Sequence, residues 1–222
     1  QTASKVVCLA ATTPQLPATA KIAAKVRAVR PDMRLVIGGP HPTLVHAAVR
    51  LERKMGRVGR AHAALERLHT MFDVLVAGDG EEAVFIALAE FPPKLVDGDD
   101  PKTGLFLTNA TYEAVPWPAR HLIDVESYKY SIEGMKAASL IGQLGCPFNC
   151  HFCGGRSSSM LRRIRTRSTA NIIGEVEHLY REHGFTGFMF YEDELNVNKS
   201  IVELMNALAD LQERVGAEFR LR

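Results

Sequence analysis

Cys146, Cys150 and Cys153 stand close together in the run Cys146-Pro147-Phe148-Asn149-Cys150-His151-Phe152-Cys153-Gly154-Gly155. Thiolates are soft ligands, so this loop offers three donors to one metal centre. Disulfides between residues this near strain easily and would leave an odd thiol. A closed structural zinc site wants four ligands, usually completed by a second CxxC or a His pair. No second CxxC exists, and His151 lies between two of the cysteines, badly placed to converge with all three. An iron–sulfur cluster held by three cysteines would leave one iron open to a substrate or cofactor, which catalysis needs. The spacing favours the cluster and leaves zinc, or no metal, as alternatives. The fourth cysteine, Cys8, stands alone in an apolar run and reads as a buried, inert thiol.

The elements that must hold this loop follow from hydrophobic periodicity. A strand over Ala138 to Leu144 enters it. The helix after it is capped by Ser168 and carries Ile172, Ile173, Val176, Leu179 and Tyr180 on one face. A second strand, Gly187 to Tyr191, ends at Glu192-Asp193-Glu194. Asn198 or Ser200 caps the next helix, which buries Ile201, Leu204, Met205, Leu208, Leu211 and Val215. Gly216 suits the position past its end, and a third strand starts at Glu218. This βαβαβ order opens a wound sheet or a β/α barrel. A full barrel needs about 250 residues, so at most its first part is present.

The N-terminal ninety or so residues repeat the same alternation. Strands at Val6 to Ala10, Leu35 to Ile37 and Val74 to Ala77 each run into a turn. These turns are Thr12-Thr13-Pro14-Gln15, Gly38-Gly39-Pro40-His41 and Gly78-Asp79-Gly80-Glu81. In an open parallel sheet ligands bind beyond the carboxyl ends of the strands, where such turns gather. The glycines could equally serve only to make tight strand-to-helix turns. Neither GxGxxG nor GxxxxGK[ST] occurs, so no dinucleotide fingerprint or P-loop is supported. A helical stretch from Leu44 to His69 is interrupted near Gly56 and Gly59, and Pro92 to Pro101 reads as a boundary.

Composition narrows the class. The 222 residues are 46% hydrophobic and 23% charged, which excludes disorder and suffices for a sizeable core. Lys and Arg exceed Asp and Glu by only two, so no nucleic-acid partner is indicated. No apolar run reaches the roughly 18 residues of a spanning helix, and no membrane partner is expected. No secretory signal is read at the start, and the expected compartment is the cytoplasm. A strand at each end reads as a piece of a longer protein.

The C-x3-C-x2-C loop after the first strand of a β/α unit, with Phe152 before the last cysteine, resembles the radical S-adenosylmethionine enzymes. The resemblance implies that Cys146, Cys150 and Cys153 ligate a [4Fe–4S] cluster whose fourth iron chelates S-adenosylmethionine. It further implies one-electron cleavage of the sulfonium to methionine and a 5′-deoxyadenosyl radical, which abstracts hydrogen from substrate. Phe152 would lie near the adenine. Tyr191-Glu192-Asp193-Glu194 stands where the family places a Gly-Gly-Glu-like segment against the methionyl ammonium, here without the glycines. Carboxylates still suit an ammonium, a solvated acidic loop being the alternative. Arg162, Arg163, Arg165 and Arg167 read mainly as a solvated basic loop, from which one could meet the S-adenosylmethionine carboxylate or a substrate anion.

The three N-terminal turns are similar to those of the family's cobalamin-binding subgroup, as is Pro116-Trp117-Pro118-Ala119-Arg120. No Asp-x-His-x-x-Gly motif is present, so no His is expected on cobalt, and His41 reads as a turn or packing residue. The expected fold class is α/β. A partial Rossmann-like cobalamin-binding domain occupies 1–95, its first strands missing. A linker occupies 96–136, with Trp117 packed on a domain surface, and the start of a radical S-adenosylmethionine β/α (partial TIM) barrel occupies 137–222. The expected function is cobalamin-dependent radical chemistry, with methyl transfer to an unactivated carbon as its outcome. Its cofactors would be a [4Fe–4S] cluster, S-adenosylmethionine and cobalamin. Its partners would be a small-molecule substrate and a reductant such as flavodoxin or ferredoxin. The alternatives are a radical enzyme without functional cobalamin, performing cyclisation or rearrangement, and a non-catalytic zinc-stabilised binding module.

Overall fold

The structure is a computed structural model and describes residues 4–222. The chain forms two compact units, one running to Leu107 and taking in Phe148–Arg162, the other made of Thr108–Pro147 and Arg163–Arg222.

In the first unit, β1 (Val6–Ala10), α1 (Leu16–Val29), β2 (Arg34–Gly38), α2 (Pro40–Lys54), α3 (Arg60–Met71), β3 (Val74–Gly78), α4 (Ala83–Leu88) and β4 (Leu95–Gly98) follow in order. Their sheet has the order β1-β2-β3-β4 with every pair parallel. The apolar runs of β2 and β3 do not alternate with polar residues because both faces are covered. Leu35, Ile37 and Leu75 pack with Val45, Val49, Leu65 and Leu68 of α2 and α3. Val36, Val74 and Val76 pack with Ala83 and Ala87 of α4. Cys8 is exposed, contrary to the sequence reading. It lies on β1, where the sheet has no further strand among the described residues.

The sheet also outlasts the boundary expected at residue 95. The short run Leu95-Val96-Asp97-Gly98 pairs with β3 as a fourth strand, with Val96 buried. Its acidic and glycine content masks it in the sequence, but pairing and burial on one edge suffice to hold it.

Between α2 and α3 the chain turns at Gly56, where φ is +64°. The Glu52 carboxylate then caps α3, accepting from the N–H groups of Gly59, Ala61 and His62 and meeting His62 Nδ1 at 2.6 Å. The His62 ring and the Ala61 amide hold this carboxyl down at about 2, against an ordinary 4.5. An unfolded chain would take up that proton first as the pH falls. The contribution is therefore present above about pH 4.5 and lost toward pH 2. Urea denaturation of Glu52→Gln is expected to show a flatter fall of stability across that window than the parent chain.

The second unit opens with α5 (Asn109–Ala114), started by a capping box in which Thr108 and Thr111 bond each other's backbone N–H. Next come β5 (Ser131–Ile132) and β6 (Met135–Leu140), an antiparallel hairpin. Its two turn residues, Glu133 and Gly134, have φ of 51° and 81°, as a type I′ turn requires. After β7 (Gln143–Leu144) the chain leaves for the first unit, where it forms the one-turn α6 (Ser159–Arg162). It returns with β8 (Arg165–Thr166), the antiparallel partner of β7, and continues as α7 (Thr169–His183), β9 (Gly187–Phe190), α8 (Ile201–Val215) and β10 (Arg220–Leu221). The sheet order is β10-β9-β6-β5, with β6, β9 and β10 parallel.

Thus the stretch from 96 to 136 is not a plain linker, and the strand expected over 138–144 breaks into β6 and β7 around Gly142. Ser168 caps α7 as expected, its Oγ accepting from Asn171 N–H. Gly184 and Gly216 close α7 and α8 in the left-handed region. The core joins Leu140, Phe188 and Phe190 of the sheet to Ile172, Val176 and Leu179 of α7 and Leu204, Leu208 and Leu211 of α8. Trp117 packs on α7, donating to Asn171 Oδ1 at 2.9 Å with its ring 5.6 Å from that of His178. Arg165 and Arg167 are 3% and 7% exposed. They are therefore not a solvated basic loop, because β8 pairing draws their backbone inward and Glu175 neutralises Arg167.

Candidate functional site

In the first unit the three turns sit side by side at the carboxyl ends of β1, β2 and β3, as parallel pairing demands. Thr12 donates from N–H and hydroxyl to Gln15 Oε1, both at 2.9 Å, which closes the first turn. Gly39 has φ +92°, and a Cβ there would lie 3.2 Å from Ala11 N, so the second turn presses against the first. His41 N–H donates to Ala11 O at 2.9 Å, and its ring Nδ1 lies 3.0 Å from Thr13 Oγ1. Burial pushes the His41 imidazole below its usual range, which favours the neutral ring. Thr43 Oγ1 links Gly39 O to Gly78 N–H, joining the second turn to the third.

Within the third turn the residues divide. Asp79 is 5% exposed and its Oδ2 accepts from Leu107 N–H at 2.8 Å, an inward anchor. Gly80 and Glu81 are exposed, as are Thr12, Thr13, Pro14 and Gln15. Gly38 and Gly78 are half-buried, with Gly78 at φ +86°.

In the second unit the ends of β6 and β9 meet. Tyr191 N–H donates to Leu140 O, and Glu192 Oε1 accepts from Gly142 N–H at 2.6 Å. Glu192 Oε2 is buried without a hydrogen-bond partner. Burial raises the Glu192 carboxyl above its usual range, partly offset by the Gly142 amide. Gln143, 1% exposed, donates from Nε2 to Glu194 O at 2.9 Å, while its buried Oε1 has no partner. Tyr191 and Asp193 are exposed and Glu194 is half-buried. Gln143 escaped the sequence reading, although a Gln inside an apolar strand is the kind of break in pattern that signals it.

The cysteine loop leaves β7 at Gly145, whose φ of +81° brings its backbone against that of Arg163. Cys146 belongs to the second unit, Cys150 and Cys153 to the first. All three are free thiols, Cys150 exposed and the others half-buried. Cys153 N–H donates to Cys150 O at 3.1 Å, and Phe152 is 93% exposed. Among the described residues, no group of three or more His, Cys, Asp or Glu is gathered as a metal site. No helix among them is long and apolar enough to cross a membrane.

No protein-family profile matches the chain. In an alignment 205 residues long that covers 81% of the chain, it is 25% identical to the anaerobic magnesium-protoporphyrin IX monomethyl ester cyclase of Cereibacter sphaeroides, covering 33% of that protein. Over 89 residues, 39% of its length, it is 33% identical to an uncharacterized methyltransferase of Pyrococcus horikoshii, covering 18% of it. The radical S-adenosylmethionine methyltransferase TsrM of Kitasatospora setae superposes on 98% of the chain with a TM-score of 0.60 and 18% identity, in a structure with cobalamin and a [4Fe-4S] cluster bound. A second TsrM structure, with tryptophan and an S-adenosylmethionine analogue, gives 0.61 and 17% over 99% of the chain. The chain has the fold of a radical S-adenosylmethionine methyltransferase. That matches the α/β architecture and the resemblance drawn from the cysteine loop and the strand-end turns. The chain spans about a third of the cyclase and less than half of TsrM.

Proposed function

We propose that the chain is part of a cobalamin-dependent radical S-adenosylmethionine enzyme that methylates an unactivated carbon of a small molecule, using electrons from a flavodoxin- or ferredoxin-like protein. The observation that carries this reading is the free-thiol C-x3-C-x2-C loop that follows β6 and β7, the start of a parallel β/α winding. Three soft donors in one loop, with no second CxxC in the sequence, suit a centre that needs three protein ligands better than closed tetrahedral zinc. Cys146, Cys150 and Cys153 would hold the cluster. The unpartnered acceptors Gln143 Oε1 and Glu192 Oε2 fit an ammonium donor, which would restore the hydrogen bonds that burial denies them. Phe152, whose ring is exposed, would lie near the adenine, and Tyr191, Glu192, Asp193 and Glu194 near the methionyl ammonium. Thr12, Thr13, Pro14, Gln15, Gly80 and Glu81 would line the cobalamin face, with the Gly38, Gly39 and Gly78 backbones beneath. Asp79 and His41 would shape that face from within, and His41 is not expected to serve as a cobalt ligand. When bound, these groups supply radical generation and a methyl carrier, while the chain positions them and limits access of water.

Electron paramagnetic resonance on the anaerobically reconstituted, reduced chain tests this. A [4Fe–4S] signal is expected that changes on adding S-adenosylmethionine and is lost in Cys150→Ala. Glu192→Gln is expected to keep the signal and blunt the response to S-adenosylmethionine. A silent sample holding stoichiometric zinc would overturn the reading. Since one relative is a cyclase and another a methyltransferase, product analysis of the whole enzyme separates ring closure from methyl transfer.

A further inference from the structure

A cavity of about 570 Å³ opens in the first unit, walled by α2, the loop after β4 and the segment following Cys153. None of its lining residues belongs to the three turns or to the cysteines. Four cations reach it, Arg50, Lys54, Lys102 and Arg156, against one carboxylate, Asp100. Arg50 is engaged by the buried Asp99. Lys54, Lys102 and Arg156 have no ion-pair partner among the described residues, Arg156 donating only to the His151 carbonyl at 3.1 Å. With Asp99 set against Arg50, these three cations outnumber the one lining carboxylate, Asp100, by two charges and focus a positive potential into the concavity. A dianion placed between them would balance that excess.

The cavity wall is also held in advance. Asp99, fully buried, accepts from Ser158 Oγ at 2.6 Å and Met160 N–H at 2.7 Å. Both bonds fix the backbone that carries the flanking lining residues Ser157 and Ser159. A wall ordered beforehand spares a ligand the cost of ordering it. Two ammonium groups, a guanidinium fork and two hydroxyls offer more donors than the two oxygens of a carboxylate can accept, and match the oxygens of a phosphate. The volume lies in the range of small-molecule pockets.

We propose that this cavity binds a phosphate-bearing small molecule, independently of any chemistry at the cysteine loop. Isothermal titration of inorganic pyrophosphate and, separately, AMP into the full chain at low salt tests it. Saturable binding is expected, with affinity falling about tenfold in Lys54→Gln and in Arg156→Gln, each about 1.4 kcal/mol. Lys21→Gln, at an exposed position on α1 away from the cavity, is expected to leave affinity unchanged. Equal affinity for both probes would mark a site that reads phosphate alone, and tighter AMP a site that reads the nucleoside as well. Absence of binding at millimolar probe, or equal weakening by Lys21→Gln, would overturn the proposal. Circular dichroism of each variant separates a lost site from a lost fold.

Discussion

Gly78→Ala is expected to cost the first unit about 4 kcal/mol or more, at the far end of what one substitution does. Two independent effects act together. At φ +86° a side chain is strained in any surroundings. An added Cβ would also run into the backbone of Gly98 and Asp99 at the end of β4. Neither strand can retreat, since Leu75, Val76 and Ala77 are buried and paired in register with β4. Gly80, two residues on, has open space around its Cβ position. Gly80→Ala should therefore stay within about 0.5 kcal/mol of the parent chain. Urea denaturation of both variants is the measurement, and equal losses would refute the close-approach argument. The contrast also separates structure from binding in a turn whose glycines look alike in sequence. Of the two glycines in this turn, Gly80 can change without moving the sheet, so Gly80→Ala is the clean probe of the proposed cobalamin contact.

Removal of the Glu175 carboxylate should be nearly as damaging to the second unit. Glu175 is 1% exposed, with Arg120 Nη1 2.8 Å from one oxygen and Arg167 Nη2 2.6 Å from the other. Their side chains are 13% and 5% exposed. Glu175→Ala leaves two guanidinium groups facing each other with little water, which should cost about 3–5 kcal/mol. The triple change Glu175→Leu, Arg120→Leu, Arg167→Met should lose less than the single one, because no charge is then left unpaired. Thermal and urea unfolding check both. A single variant no worse than the triple would show that water reaches the site. The cluster ties residue 120, a helix residue and the segment after the cysteine loop into one charge group.

How much of this was legible depended on how local the signal was. Ser168 and Gly216 act within one turn of their own helices, so residue type alone marks the start of α7 and the end of α8. The turns at residues 12–15, 38–41 and 78–81 were visible because a strand ending in Gly or Thr-Pro is a local pattern. The β5–β6 hairpin was missed because its turn, Glu133-Gly134, joins strands of two and six residues, too short for alternation to register. β4 was missed because Asp97 and Gly98 oppose strand formation locally and only pairing with β3 outweighs them.

The sequence by itself determined which chemistry is available: three thiols at one spacing, strand-end turns in order, and apolar faces that wind into parallel β/α units. Those are properties of covalent spacing and side-chain type. Tertiary structure alone decided which polar groups are satisfied inside and which remain open. Asp79, drawn from a turn that looked like a ligand contact, is consumed by Leu107 N–H. Glu192 and Gln143 each keep one buried oxygen without a partner. Arg167 is buried beside Glu175, while Lys54, Lys102 and Arg156 gather round one cavity. Each outcome depends on residues tens of positions apart meeting at one point, and burial, which sets what an unpaired charge or acceptor costs, exists only once the chain has folded.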